Sequence, residues 1–519
     1  MASCAPDCPL TWSKTLTPHG QGFAQSIRLG SLTDFSPTDT LSTSGVSRWP
    51  SHLFVEMQER SAMEVVLINP PPFRLIEDAD RPNYPHPGIA CLAAYLRERG
   101  QQVRVIDAKL QRLSLEETVE AACRSGDLWG LSGMTHEVAQ AARVAEGIKR
   151  RRGDVPVVLG GVHATALPKE TLERFPQLDF AVVGEGEYTF AELVEALQDG
   201  RSLQRVPGLG WRRGSRIVLN RPRGFIQNLD ALPIPAWDLF PPTPFYYLAT
   251  ARGCPYACNF CTRVMGRRVR ALSAERLLDY LDVLVNKRQA REVHFSDDVF
   301  GADRRRAYRL LELMVERGFH RKLRWQTSTR ADLVTPRLLQ KMKEAGCDYV
   351  SFGCESGNAR ILKNTGKGIT LEQIERAVGW TKEAGIKTGA LFIIGHPHET
   401  RATAWETIRF ATRLNPHVVA LGIMVPYPGT EVAEMARRGE GGYRLLSEDW
   451  SDFGKQFGNA LELVSLSRRH LEWLQAVGYL TVYWANARWL ELARFIWHYR
   501  RAAWARARKL CSPKTVTRN

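Results

Sequence analysis

At 519 residues the chain is long enough for two or three domains, each burying its own apolar core. It is 44% hydrophobic and 24% charged with a mean hydropathy of −0.27, an ordinary composition for a soluble protein, and no apolar run reaches the roughly 18 residues that would span a bilayer. Lys plus Arg outnumber Asp plus Glu, 71 to 55, and the opening MASCAPDCPLTWSK lacks the basic and then apolar pattern of a secretory signal, so the expected location is cytoplasmic.

Residues 1–62 read as a disordered leader: Ser and Thr fill 17 of the 62 positions and no apolar periodicity is sustained. Order is expected to begin abruptly at Met63, which could itself be the translational start. From 63 to 200 buried-strand patterns at 65–69, 102–107, 128–132, 155–160 and 180–183 alternate with helical patterns at 88–99, 115–124, 137–151, 168–175 and 188–198. This alternation predicts a doubly wound, Rossmann-like parallel sheet whose ligand crevice lies at the carboxyl ends of its strands. Residues 201–245 lose the alternation, and the proline-rich LPIPAWDLFPPTPF reads as an interdomain linker. A second series follows over 246–444, with strands at 246–251, 292–296, 323–327, 349–353, 388–394 and 418–425 and helices such as 274–288 and 304–317. Six strand–helix units predict a partial (β/α)6 barrel with its active residues just past the strand ends. The region 445–519 is expected to be helical and is rich in Trp and Arg.

Ten cysteines in a cytoplasmic chain favour metal or catalytic use of any that cluster. Cys91, Cys123, Cys347 and Cys354 are scattered among apolar neighbours and read as core residues. The Cys4 and Cys8 pair falls in the leader. Three others follow the first strand of the second series, in Ala-Arg-Gly-Cys254-Pro-Tyr-Ala-Cys258-Asn-Phe-Cys261. Three soft thiolates can hold three irons of one cubane and leave the fourth iron open. Zinc is the competing reading, but no second Cys/His pair lies close in sequence.

The Cys-x3-Cys-x-aromatic-Cys spacing resembles the signature of the radical S-adenosylmethionine superfamily. The resemblance implies a [4Fe–4S] cluster on Cys254, Cys258 and Cys261. Its open iron would chelate S-adenosylmethionine, whose reductive cleavage yields a 5′-deoxyadenosyl radical, with electrons from an external flavodoxin or ferredoxin. Later strand ends continue the likeness. Phe295-Ser-Asp297-Asp298 would contact the methionine amino group, although an aspartate pair capping the next helix is the alternative. Ser328-Thr-Arg330 would meet carboxylate and ribose, Glu355 in Gly353-Cys-Glu355-Ser-Gly357 would lie near the sugar, and Gly395 in Leu391-Phe-Ile-Ile-Gly395-His-Pro-His-Glu-Thr400 belongs to the segment that cups adenine.

Members of this family with a preceding doubly wound domain commonly bind cobalamin there. The matching segments are Asn69-Pro-Pro-Pro72, Ser132-Gly133-Met134, Gly160-Gly161-Val-His-Ala164 and Gly184-Glu185-Gly-Glu187, which makes Asn69, Ser132, Gly160, Gly161, Gly184 and Glu185 candidate cofactor contacts. One departure stands out. Where cobalt-ligating domains carry Asp-x-His-x-x-Gly, this chain has Asp107-Ala-Lys109, so cobalamin would bind without that histidine, and a ligand-free flavodoxin-like domain is the alternative. His163 is expected near the cofactor rather than on cobalt.

The resemblance implies a cobalamin-dependent radical C-methyltransferase acting on a small-molecule or lipid substrate. A cyclase of the anaerobic Mg-protoporphyrin ester type shares the same plan, and a non-catalytic corrinoid sensor is the non-enzymatic alternative. A methylthiotransferase would need a second cysteine triad. From Leu466 onward eleven Lys/Arg face two Glu, interleaved with Trp473, Trp484, Trp489, Trp497 and Trp504. Such a tail can close the barrel mouth or lie on a membrane surface; it carries no nucleic-acid recognition motif.

Overall fold

The computed structural model describes residues 62–72, 82–455, 458–497 and Arg500. Apart from Ala62, the expected leader lies outside them, as does Trp504. Two parallel sheets organise the rest. The first contains β1 (Glu64–Asn69), β2 (Gln102–Asp107), β3 (Leu128–Ser132), β4 (Val157–Gly160), β5 (Phe180–Val182), β6 (Leu209–Arg213) and β7 (Arg216–Leu219), in the spatial order β2-β1-β3-β4-β5-β6-β7. Its first five strands are parallel, and β1 lies between β2 and β3, so the strand order reverses beside β1. That reversal opens a crevice at the carboxyl ends of β1 and β3. Val65 to Ile68 are fully buried because helices cover both faces of the sheet. Local signals start those helices: Pro87–Glu98 is capped by the His86 side chain, and Leu115–Ala122 by a capping box between Ser114 and Glu117.

Part of the stretch expected as linker is sheet. Residues β6 and β7 form an antiparallel hairpin that extends the first sheet at β5. Its short strands around Gly214 carry too little alternation to stand out among the prolines that follow.

The second sheet contains β8 (Phe245–Leu248), β11 (Glu292–Phe295), β12 (Arg324–Thr329), β13 (Cys347–Glu355), β14 (Lys387–Ile394) and β15 (Val418–Ile423), all parallel and in sequential order. This is the six-stranded partial barrel. A two-residue pair, β9 (Ala251–Arg252) with β10 (Arg270–Ala271), closes the base of the cysteine loop.

The tail departs from an all-helical expectation. A hairpin of β16 (Tyr443–Leu445) and β17 (Leu461–Leu463) comes first, and the long helix Arg468–Ala485 follows. Between the hairpin strands, Trp450 packs on the first domain: its ring lies 4.3 Å from that of His163, and the Arg174 guanidinium sits 4.7 Å above it.

Buried charges join the two sheets. Glu185, just after β5, accepts from Arg252 at 2.8 Å, from Arg270 at 2.8 and 2.9 Å and from the Ile226 N–H at 2.7 Å; Arg252 also pairs with Glu187 at 2.6 Å. Removing one member of such a set leaves an uncompensated charge in low dielectric. Glu185→Ala should therefore lower unfolding stability by about 3–5 kcal/mol in chemical denaturation; a loss below about 1 kcal/mol would mean that the set is no more than surface-like.

Candidate functional site

The chain leaves β8 and is caught at once by the end of β11. Asp297 accepts the Thr250 N–H at 2.6 Å, the Thr250 hydroxyl at 2.6 Å and the Ala251 N–H at 2.8 Å, while Asp298 accepts the Gly253 N–H at 2.7 Å. Arg306 donates to the Thr250 carbonyl and hydroxyl at 3.1 and 2.9 Å. Burial pushes the Asp297 carboxyl up, against Arg306 and these donors. One of the two aspartates was expected to meet the methionine amino group, with capping of the next helix as the alternative. In the structure both hold the backbone that delivers Cys254.

Gly253 has φ +95°, and a Cβ there would lie 2.3 Å from the Arg268 carbonyl oxygen, so only glycine can make this turn. Beyond it the Cys254 N–H donates to the Gly266 carbonyl at 3.0 Å, and the Asn259 N–H and side chain donate to the carbonyls of Thr365 and Asn364 at 2.9 and 2.8 Å. The loop is thus tied both to β10's approach and to the turn that follows the helix after β13.

Cys254, Cys258 and Cys261 are all half-exposed, and no described cysteine is in a disulfide. Burial pushes the Cys258 thiol up, and the nearby Lys367, Arg330 and Arg263 cations act against it, favouring thiolate. As placed, no group of three or more His, Cys, Asp or Glu among the described residues could hold a metal ion. A cubane asks for something different, with each thiolate on its own iron. The donor chemistry suits it: three soft thiols on one pinned loop. The other barrel cysteines are taken up elsewhere, since Cys347 and Cys354 are buried in β13 with sulfurs against the Tyr349 and Phe352 carbonyls.

The remaining strand ends converge beside this loop. Ser328 bonds the Ser351 hydroxyl at 2.6 Å. Arg330 is held by Asp332 at 2.9 and 3.0 Å and by the Lys367 carbonyl at 2.7 Å, and its guanidinium lies 3.5 Å over the Tyr256 ring of the cysteine loop. Glu355 pairs with buried Lys367 at 2.6 Å and has φ +62°, at a register shift between β13 and β14. Lys367 had no motif to announce it.

Gly395, with φ +100°, ends β14. Its N–H and that of His396 donate to one oxygen of buried Glu399, whose other oxygen has no partner. Both ring nitrogens of buried His396 are also unpartnered, and the ring lies 5.7 Å from Phe260, between Cys258 and Cys261. Buried polar atoms without a partner ask for a ligand, a water or another compensation, and the His396 ring is the one that lies beside the cysteine loop. Sequence reasoning quoted this segment but singled out only Gly395.

In the first domain, Asn69 donates to Asp107 at 2.7 Å, and Asp107 also accepts the His86 N–H at 3.0 Å. Ser132 lies 3.3 Å from His86 Nε2. Lys109, which stands in place of the cobalt-ligating histidine, is ion-paired to Glu137. Burial would raise the Glu137 carboxyl, yet Lys109 and the Met134 N–H hold it down at about 2. Gly161, with φ +97°, packs against the Gly133 backbone, whereas a Cβ at Gly184 would meet nothing within 4 Å and one at Gly160 only the Leu131 carbonyl oxygen at 4.0 Å. Glycines at these strand ends leave the room that the close approach of a large ligand to the backbone requires. Glu185 is turned away to the interdomain ion set. His163 is fully buried with both ring nitrogens unpartnered, and burial pushes it down to about 3, so it is neutral.

Glu399 gives a pH-dependent signature. Burial raises its carboxyl from 4.5 to about 7, against the Gly395 and His396 N–H groups. A raised carboxyl pKa in the folded state contributes stability below the unfolded value, which is lost as pH rises through the folded one. Between pH 5 and pH 8, Glu399→Gln should therefore gain about 2–3 kcal/mol relative to the parent protein in denaturation experiments; a constant difference would contradict it.

Comparison with known proteins agrees with this arrangement. Residues 248–411 match the Radical SAM superfamily, and residues 80–194 match the B12 binding domain. The chain is 35% identical over 401 residues to an uncharacterized methyltransferase of Pyrococcus horikoshii, covering 75% of this chain and 86% of that protein. It is 28% identical over 368 residues to the anaerobic magnesium-protoporphyrin IX monomethyl ester cyclase of Rubrivivax gelatinosus, covering 67% and 66%. The fold is shared with the radical S-adenosylmethionine methyltransferase TsrM of Kitasatospora setae, at a TM-score of 0.64 and 22% identity over 80% of this chain and 88% of that one. It is shared equally with the cobalamin-dependent S-adenosylmethionine radical enzyme OxsB, at a TM-score of 0.67 and 21% identity over 83% and 67%. The chain belongs to the radical S-adenosylmethionine superfamily, among the members that carry a B12-binding domain ahead of the barrel.

Proposed function

We propose that the chain is a cobalamin-dependent radical S-adenosylmethionine methyltransferase that methylates an unactivated carbon of a small-molecule or lipid substrate. One observation carries the reading: the pinned loop of three partly exposed thiols, with the buried His396 ring beside Phe260 of that loop. Cys254, Cys258 and Cys261 would hold the cluster. Arg330, Glu355 with Lys367, and the Gly395–Glu399 turn would line the S-adenosylmethionine site, with Ser328 behind them. Asn69, Ser132, Gly160, Gly161 and Gly184 would floor the cobalamin crevice. When bound, the cluster with S-adenosylmethionine supplies a carbon-centred radical, and cobalamin supplies a methyl carrier.

The chain's own part is to orient and to exclude water. Asp297 and Asp298 position the loop, the Lys367–Glu355 pair supplies a buried, compensated charge, and His396 is held neutral, since burial pushes it down to about 4. A neutral imidazole can donate one hydrogen bond and accept another at the site. Electrons would come from an external flavodoxin- or ferredoxin-type donor.

The cyclase names among the relatives favour a second reading, radical cyclisation or oxidation without methyl transfer. Anaerobic reconstitution with iron, sulfide and cobalamin, followed by product analysis, separates the two. Methyl transfer yields S-adenosylhomocysteine together with 5′-deoxyadenosine and methionine, whereas cyclisation yields 5′-deoxyadenosine and methionine without S-adenosylhomocysteine. Cys258→Ala should lose cluster iron and all 5′-deoxyadenosine while keeping the parent's cobalamin content; a variant that still cleaves S-adenosylmethionine would remove the loop from the mechanism.

A further inference from the structure

Beyond its charged first turn, which holds Arg468, Arg469 and Glu472, the Arg468–Ala485 helix is largely apolar on both its inner and its outer side. Its inner side, including Leu471, Leu474, Tyr479 and Val482, packs on the second sheet. Gln475 Nε2 donates to the Leu421 carbonyl at 2.7 Å, and the Leu421 N–H donates to the Tyr479 hydroxyl at 2.9 Å, so the helix is fastened to β15. Its outer stripe has helical spacing and reads Trp473, Ala476, Leu480 and Trp484, all exposed. No charged residue occurs from 473 to 487. A helix facing water normally sets charged and polar groups on that side, so this face is built to meet something other than water.

The apolar surface continues past the helix. Trp489, Leu490, Ile496 and Trp497 are 47%, 74%, 54% and 68% exposed, and seven of the twelve exposed large hydrophobic side chains of the described residues fall within 473–497. Arginines border it: the Arg401 guanidinium lies 5.3 Å over Trp473, and that of Arg500 lies 3.8 Å over Trp497. From Leu492 to the chain end there is no Asp or Glu and there are eight Lys/Arg.

We propose that this face seats the protein peripherally on an anionic membrane surface. Tryptophan and leucine would enter the headgroup boundary while the arginines meet lipid phosphates. Charge decides between the candidate occupants. A second copy of the chain would set this cationic stretch against itself, whereas anionic headgroups complement it. Among the described residues no helix is long and apolar enough to cross a membrane, so the attachment is to the surface. Through β15 it would hold one edge of the barrel against the bilayer. The proposal stands apart from the methyl-transfer reading.

Co-sedimentation of the full-length protein with phosphatidylcholine–phosphatidylglycerol vesicles tests it. The expected result is binding that weakens with salt, falls at least about tenfold on phosphatidylcholine alone, and shifts tryptophan emission to the blue. A quadruple variant, Leu480→Ser, Trp484→Ser, Trp489→Ser and Trp497→Ser, should lose binding by a similar factor. Protein that stays in the supernatant with anionic vesicles overturns the proposal, as does a correctly folded variant that sediments like the parent. So does light scattering that finds a dimer which these substitutions dissociate. If the variant misfolds, the parent protein's lipid and salt dependence still decides.

Discussion

Asp297 and Asp298 lie just past the end of β11, and between them they accept the backbone N–H groups of Thr250, Ala251 and Gly253 together with the Thr250 hydroxyl. A buried carboxylate stays charged only while such donors and a cation such as Arg306 compensate for its lost hydration. The two aspartates therefore fix the strand-to-loop turn, and that turn fixes where three thiols emerge. Gly253 completes the constraint, because the loop passes so close to the Arg268 carbonyl that a side chain cannot fit.

The same loop is coupled to the first domain. Arg252 and Arg270 belong to β9 and β10, which flank it, and both reach Glu185 just past β5. In the proposed reaction a methyl carrier and a radical source must face one substrate, and this ion set links the carboxyl ends of the two sheets on which they would sit. Trp450 adds a second link, lying on His163 from the far side of the chain. Positioning of this kind is the protein's main contribution when cofactors carry the chemistry.

Both sheets were legible because short apolar or β-branched and aromatic stretches, clearest in β1, β4 and β14, alternate with helical patterns, and observed bounds differ from expectation by a few residues at most in those strands. The hairpin at 209–219 was not legible, since its short strands lie in a stretch dominated by loop residues. The cysteine triad could be nominated from its spacing and its place after a strand. The roles of its neighbours were not legible: sequence could nominate Asp297, Asp298 and Glu185 as ligand contacts, but the donors cited here lie 45 to 85 residues away in the chain, and only the fold shows that backbone and arginine bond to them. For the same reason Lys367 could not be foreseen as the partner of Glu355 twelve residues earlier.

The central claim is that the pinned loop carries an iron–sulfur cluster with one iron open to S-adenosylmethionine. Electron paramagnetic resonance of the reduced, reconstituted protein, with S-adenosylmethionine labelled with nitrogen-15 in its amino group, tests it most directly. The account predicts a cluster signal that changes shape on addition and shows hyperfine coupling to the label. A cluster signal indifferent to the nucleotide, without coupling, would contradict it.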